Sequence, residues 1–346
     1  MLFKKIQPQV WAFDAEWAPD PVSGRLLYNL PEDMSDEDVM TEMWREGGAT
    51  EENPTPYLKT IRCRLLSISV VARTVRQDGG VSLKILTLPR DINDPEQCAE
   101  PHILKTFLEA VGERKPQLVG YNSIAADLRI MVQRSITNGV QASDFCKRPN
   151  KPWEGPDYFA RGSEWNIDLQ EIAAIGYGRG TPSLNELATL SGVPGKMDVE
   201  GVMVPRLWLD GKMEKIVNYN EFDAVTTYLV WLRIAYFGGF FTPKQYENEH
   251  DHLYCFELQD RYGRKCSIEH PHMENGELSA GHVEIGSAGL SAGDMIEYLY
   301  DFGDCWEFKI TLDSIDEDEG LKEPKVLERH GEPPIQYPPY EGDDEW

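Results

Sequence analysis

The segment QVWAFDAEW at residues 9–17 alternates in hydrophobicity, and Val10, Trp11 and Phe13 mark it as a buried strand. Its two acids constrain the fold more than any other feature. Side chains two apart on a strand point to one face, so Asp14 and Glu16 present two carboxylates together from within a core element. Two further segments can bring oxygen ligands to the same spot. In GYNSIAADLRIM, Asp127 follows a short apolar strand (QLVGY) and sits near the start of a helix expected over about 125–136. In NYNEFDAVTTY, Tyr219 and Asp223 are four apart on a long amphipathic helix expected over 214–236, so they too share a face.

The stretch from Pro19 to Pro56 is polar, acidic and punctuated by Pro and Gly. It reads as a long insertion, about 19–58, with a short helix around 36–45 whose Asp36, Glu37 and Asp38 suit a first helical turn. Strands are expected at 64–73 and 81–88, with QDGG as the hairpin turn. A helix follows at 101–113, with Ile103, Phe107, Leu108 and Val111 on one face. Beyond an irregular region, a strand is expected at 166–169 and helices at 170–175 and 183–191, the second opened by a proline and closed by Gly192. Strands first, then helices mixed with strands, indicate an α/β layered domain over 1–247. A second, smaller unit is expected over 248–346.

Carboxylates arriving from three elements are hard ligands and select Mg²⁺ or Mn²⁺ over zinc. Two such cations about 3.5–4 Å apart can flank a scissile phosphate, one activating water and the other stabilising the leaving oxygen. In the expected arrangement Asp14 bridges both cations, Glu16 and Asp223 complete the one that activates water, and Asp127 supports the second, partly through waters. Tyr219 would aim the water; a phenol with a pKa near ~10 is a weak base, so the metal does most of the deprotonation.

In order along the chain, D-x-E (Asp14–Glu16), Gly120-Tyr121-Asn122 followed by Asp127, and Y-x-x-x-D (Tyr219–Asp223) resemble the DEDDy class of 3′→5′ exonucleases of the ribonuclease H-like fold. A nearer resemblance, over roughly residues 8–240, is to the predicted exonucleases related to the proofreading domain of family-B DNA polymerases. GYN, Asp168 in NIDL, and the run GVPGKMDVEGVMVPRLWLDGKMEKIVNYNEFDAVTTYLVWLR carry it. The resemblance implies a mixed five-stranded sheet flanked by helices, and the 3′ end of a nucleic acid strand as substrate. Polymerase proofreading points to single-stranded or frayed DNA. The alternatives are a 3′→5′ exoribonuclease, since the same site trims RNA in related families, and a non-catalytic protein that binds ends or partners. The insertion after Glu16 falls where the substrate strand would approach, and Ala125–Ala126 stand where bulkier residues are expected.

Secondary candidates each carry two roles. Asn122 is either a contact to the terminal nucleotide or a turn residue, and Lys196 in PGK is either a phosphate contact or an exposed turn lysine. Asp168 is either a supporting carboxylate or a cap for the helix at 170. Trp17, Trp153 and Trp165 can stack bases, although tryptophan more often packs in the core. His250-Asp251-His252 and His270-Pro271-His272 lack the cysteine partners of a zinc site.

Charge bears on the nucleic acid reading. The 346-residue chain has a net charge of -25, but residues 250–346 hold 24 acidic and 7 basic side chains, against 35 and 27 in residues 1–249. The first part can therefore present a local basic groove, while the last part repels a phosphate backbone. No stretch approaches the ~20 apolar residues of a membrane span. Six scattered cysteines without a CxxC pair, and no apolar leader core, fit a cytoplasmic protein. In the second unit, MIEYLYDFGDCWEFKITLDSI (295–315) reads as two strands joined at Gly303-Asp304, with one aromatic face buried. Its Y-x-Y-D-F-G-D-x-W core resembles the Ri-plasmid open-reading-frame-three-like family, which implies a small α+β domain without a defined activity. An interaction or regulatory module that contacts a protein partner or covers the basic groove is the expectation for this unit.

Overall fold

The computed structural model of the protein describes residues 3–77, 79–151, 153–175, 180–193, 201–250, 254–259, 265–269, 289–300 and 306–315. Strand β1 spans Gln9–Pro19, and the chain behind it folds as helices α1 (Pro21–Tyr28) and α2 (Asp36–Glu46). Next come β2 (Cys63–Val75), β3 (Val81–Leu88), α3 (Glu100–Arg114), β4 (Gln117–Gly120), α4 (Asp127–Thr137) and α5 (Ser143–Cys146). They are followed by β5 (Asn166–Asp168), α6 (Leu169–Ala174), α7 (Leu184–Leu190), α8 (Val204–Leu209) and α9 (Met213–Phe237). Helix α10 (Pro243–His250) precedes β6 (Tyr254–Gln259), β7 (Lys265–Glu269), β8 (Met295–Tyr300) and β9 (Trp306–Thr311).

The first five strands form one mixed sheet in the order β3-β2-β1-β4-β5. β1 is antiparallel to β2 and parallel to β4; β2–β3 is antiparallel and β4–β5 parallel. The central place of β1 follows from its composition, because it buries side chains on both faces. Trp11, Phe13 and Ala15 pack with Ile103 and Phe107 of α3, while Val10 and Ala12 pack with Ala224 and Tyr228 of α9. This parity puts Asp14 and Glu16 on the α9 side. The ladder shifts register just there: Glu16 faces Ser67 but Trp17 faces Leu65, so Leu66 is the extra residue of a bulge.

Helix α9 meets the sheet along Ile216, Asn220, Ala224, Tyr228, Trp231 and Ala235, a buried stripe of helical spacing. The insertion is not a loop. Asp20 accepts from the N–H groups of Val22 and Ser23 to cap α1, and Pro21 opens that helix. Gly24 lets α1 close on α2, since a Cβ there would lie 2.6 Å from Met43 Sδ. A buried cluster ties this pair to the body: Arg134 of α4 reaches Asp20 at 2.8 Å and Glu100 of α3 at 2.7 Å. Glu100 also accepts from the Leu65 N–H at 2.7 Å.

Helix α7 starts differently from the expectation. Ser183, not the preceding proline, caps it in a reciprocal box with Glu186. In the second sheet, β7-β6-β8-β9, all pairs are antiparallel. Tyr298 and Phe308 face each other as the alternation predicts, with ring centroids 5.6 Å apart. The buried aromatic face does not follow, because Phe308 is 39% and Ile310 41% exposed. Asp301, Gly303 and Asp304 lie outside the described residues.

Candidate active site

Open α/β sheets bind ligands beyond the carboxyl ends of their parallel strands. β1 and β4 are such a pair, and their carboxyl ends open on a cleft of about 360 Å³. Asp14, Glu16, Asp127, Tyr219, Asp223 and Asn122 all line it. One carboxylate oxygen from each of Asp14, Glu16 and Asp223 lies within 4.8 Å of the others. Asp127, the first residue of α4, is buried beside this trio, and its charge is felt at both Asp14 and Glu16.

Asp14 is held from behind. The buried Asn220 donates its Nδ2 to Asp14 Oδ2 at 2.8 Å, and Ser67 Oγ donates to Asn220 Oδ1 at 2.9 Å. The relay runs from β2 through α9 to β1. The sequence reading missed both Asn220 and Ser67. The available signal was an asparagine on the apolar stripe of α9, one residue from Tyr219.

The electrostatics of the cluster are those of uncompensated like charges. Burial, then Asp127, Asp223 and Glu16, hold the Asp14 carboxyl well above its usual range, against the lowering effect of Asn220. Burial, Asp223 and Asp127 do the same to Glu16. Asp127 is pushed up to about 7 by burial, with Asp168 and Asp223 adding, while the N–H groups of Asp127 itself and of Ala15 oppose the rise. The Tyr219 phenol is raised far above its ordinary value by burial, by Glu16 and Asp223, and by its hydrogen bond to Asp223. It therefore stays protonated and acts as a donor. The expected basic groove is absent from the cleft itself: among the described residues lining it there is no Lys or Arg. A carboxylate cluster of this kind, with Glu16 and Asp127 buried and Asp14 and Asp223 half-buried, fits hard divalent cations, which would relieve the repulsion.

Asn122 is visibly a turn residue. It takes a left-handed φ of 60°, and its N–H donates to Asp168 Oδ1 at 2.8 Å. Asp168 also accepts from the N–H of Ile124 at 3.1 Å and caps α6 through Gln170 at 3.0 Å. Its role is thus to hold the turn that delivers Asp127. Gly120 is needed at the same turn, because a Cβ there would sit 2.5 Å from Ser123 Cβ. Trp17 lines the cleft, whereas Trp165 packs against the core and Trp153 stands exposed over Lys151. Lys196, Asp251, His252, His270 and His272 lie outside the described residues, as does the side chain of His250.

Residues 55–268 match the family described as "Predicted 3'-5' exonuclease related to the exonuclease domain of PolB". The chain belongs to this family. The match includes Asn122, Asp127, Tyr219 and Asp223 but begins after β1, so Asp14 and Glu16 join them through the sheet rather than through the matched stretch. Membership in this exonuclease family supports a nuclease function. Residues 244–336 match "Plasmid pRiA4b ORF-3-like protein". Among solved structures, the chain is similar to the family B DNA polymerase from the hyperthermophilic archaeon Pyrobaculum calidifontis, at 17% identity and a TM-score of 0.40, over 66% of this chain and 25% of the polymerase. The chain thus spans a quarter of that polymerase's length. No curated protein matches the sequence. Among the described residues, no helix is long and apolar enough to cross a membrane.

Proposed function

We propose that this protein is a metal-dependent 3′→5′ exonuclease that hydrolyses the terminal phosphodiester bond of single-stranded or frayed DNA. The observation that carries the reading is the convergence of Asp14, Glu16 and Asp223 within 4.8 Å, on a chain whose family is that of an exonuclease domain. Asp14, Glu16, Asp127 and Asp223 would hold two divalent cations, Mg²⁺ or Mn²⁺. Such ions supply a water nucleophile at neutral pH and stabilise charge on the leaving oxygen. Asn220 keeps the Asp14 carboxylate turned toward the cleft, and Tyr219, protonated and anchored on Asp223, orients the attacking water.

The chain is proposed to divide into an exonuclease unit over 1–247 and an acidic unit over 248–346 that contacts a protein partner. The excess negative charge of the second unit makes it a poor surface for phosphates.

The test is an oligonucleotide labelled at its 5′ end, in DNA and RNA forms, incubated with Mg²⁺ or Mn²⁺. A ladder of stepwise shorter DNA products, absent with Asp14→Ala or with EDTA, is the expected result. A ladder that persists with Asp14→Ala, or cleavage only inside the strand, contradicts the reading. Preferential shortening of RNA would move the substrate to RNA at the same site.

A further inference from the structure

We infer that Tyr57, on the chain behind β1, is a stacking platform for the base at the reacting end of the strand. The inference rests on the nuclease reading of the cleft.

One wall of the cleft is built by that chain. Trp44 of α2 and residues 55–58 return to the cleft beside Trp17. Trp17 and Trp44 are half-buried against the core and Leu58 is buried in it. Tyr57, between these anchors, lines the cleft with 82% of its surface exposed. The core makes no use of this ring. It shares that cleft with Asp14, Glu16 and Asp127. Val202, itself 58% exposed, and Pro205 also line the cleft.

A carboxylate floor with apolar walls suits a nucleotide whose phosphate lies on the floor and whose base lies against a ring. With no Lys or Arg among the described lining residues, the phosphate would depend on the proposed cations, and the base has the apolar wall to rest on. Stacking on an aromatic ring tolerates any base, because every base has a π-face.

The wall is also fixed in place. Thr60 Oγ1 donates to Gln133 Oε1 at 2.7 Å, and Arg206 of α8 reaches Glu37 of α2 at 2.8 Å. Buried Leu58 and Thr60 anchor the chain just after Tyr57, while the Arg206–Glu37 pair, with both side chains exposed, adds little.

The experiment measures binding of two single-stranded DNA oligonucleotides in Ca²⁺, one ordinary and one with an abasic 3′-terminal residue, and follows shortening of both in Mg²⁺. The wild type is expected to bind the ordinary strand more tightly than the abasic one. Tyr57→Ala is expected to weaken binding of the ordinary strand by roughly five- to 150-fold, leaving the abasic strand unchanged. Tyr57→Phe, which keeps the ring, is expected to match the wild type. Tyr57→Ala affecting both strands equally or neither, Tyr57→Phe behaving like Tyr57→Ala, or a wild type that binds neither strand would each overturn the inference. A wild type that binds with this dependence on base and ring, yet shortens neither strand in Mg²⁺, upholds the platform and removes the nuclease reading.

Discussion

Replacing Asp127 with asparagine is expected to make the metal-free protein more stable while abolishing its proposed activity. The carboxyl is buried and held up to about 7 against an ordinary 3.8. At ~1.36 kcal/mol for each pKa unit, ionising it in the folded state at pH 8 costs roughly 4 kcal/mol. Asparagine removes that charge and keeps an oxygen for the N–H groups of Ala15 and of residue 127. Those hydrogen bonds weaken, since bonds to a charged group are worth ~1.5–3 kcal/mol and neutral ones ~0.5–1.5. The pKa of about 7 already contains that weakening, so the net gain is roughly 4 kcal/mol, or a rise in Tm of about 8–16 °C. The pH dependence has a definite sign. Between about pH 4 and about pH 7 the folded carboxyl retains a proton that the unfolded chain has lost, so this group makes the wild type less stable as pH rises through that window. The variant lacks this contribution, and Mg²⁺ stabilises it less than the wild type. Thermal unfolding of both proteins in EDTA across pH 4–8, repeated with Mg²⁺, reads all three effects. An Asp127→Asn protein no more stable than wild type at pH 8 in EDTA, with an unchanged pH slope, would refute the argument that uncompensated charge is stored at this site.

Other outcomes follow from single contacts. Asn220→Ala frees Asp14 and leaves the Ser67 hydroxyl without its acceptor, so Mn²⁺ affinity measured by titration calorimetry should fall ~10–100-fold. Tyr219→Phe removes the donor that aims water; kcat should drop on the order of 10²-fold with Mn²⁺ affinity unchanged, and no ionisation of this phenol should shape the pH profile of the wild type. Arg134→Ala strands the buried Asp20 and Glu100 carboxylates and should cost about 3–5 kcal/mol in urea unfolding. Arg134→Lys should restore only part of this, because an ammonium cannot make the forked contact to Glu100.

Local patterns carried much of the fold. Two-residue spacing placed Asp14 and Glu16 on one face of β1, and four-residue spacing placed Tyr219 and Asp223 together on α9. The apolar face of α3 was legible for the same reason, and its Ile103, Phe107, Leu108 and Val111 are all buried. Helix α1 was not, although Asp20-Pro21 is a cap followed by a first-turn proline, because a proline in a polar, acidic stretch equally suits a loop. The supports of the site depend on distant pairs that no window contains. Ser67 and Asn220 are 153 residues apart, and Arg134 meets Asp20 across 114. Tyr57 returns to a cleft whose floor lies on β1, a matter of tertiary closure rather than of local preference.

The central claim is that these carboxylates form a metal centre for cleavage at a 3′ end. Anomalous scattering from a crystal soaked with Mn²⁺ and a non-hydrolysable single-stranded oligonucleotide tests it most directly. The account predicts two peaks about 3.5–4 Å apart, one held by Asp14, Glu16 and Asp223 and the other reached by Asp14 and Asp127, with the 3′-terminal phosphate between them. An absence of manganese from the cleft, or a 5′ end seated there, would contradict it.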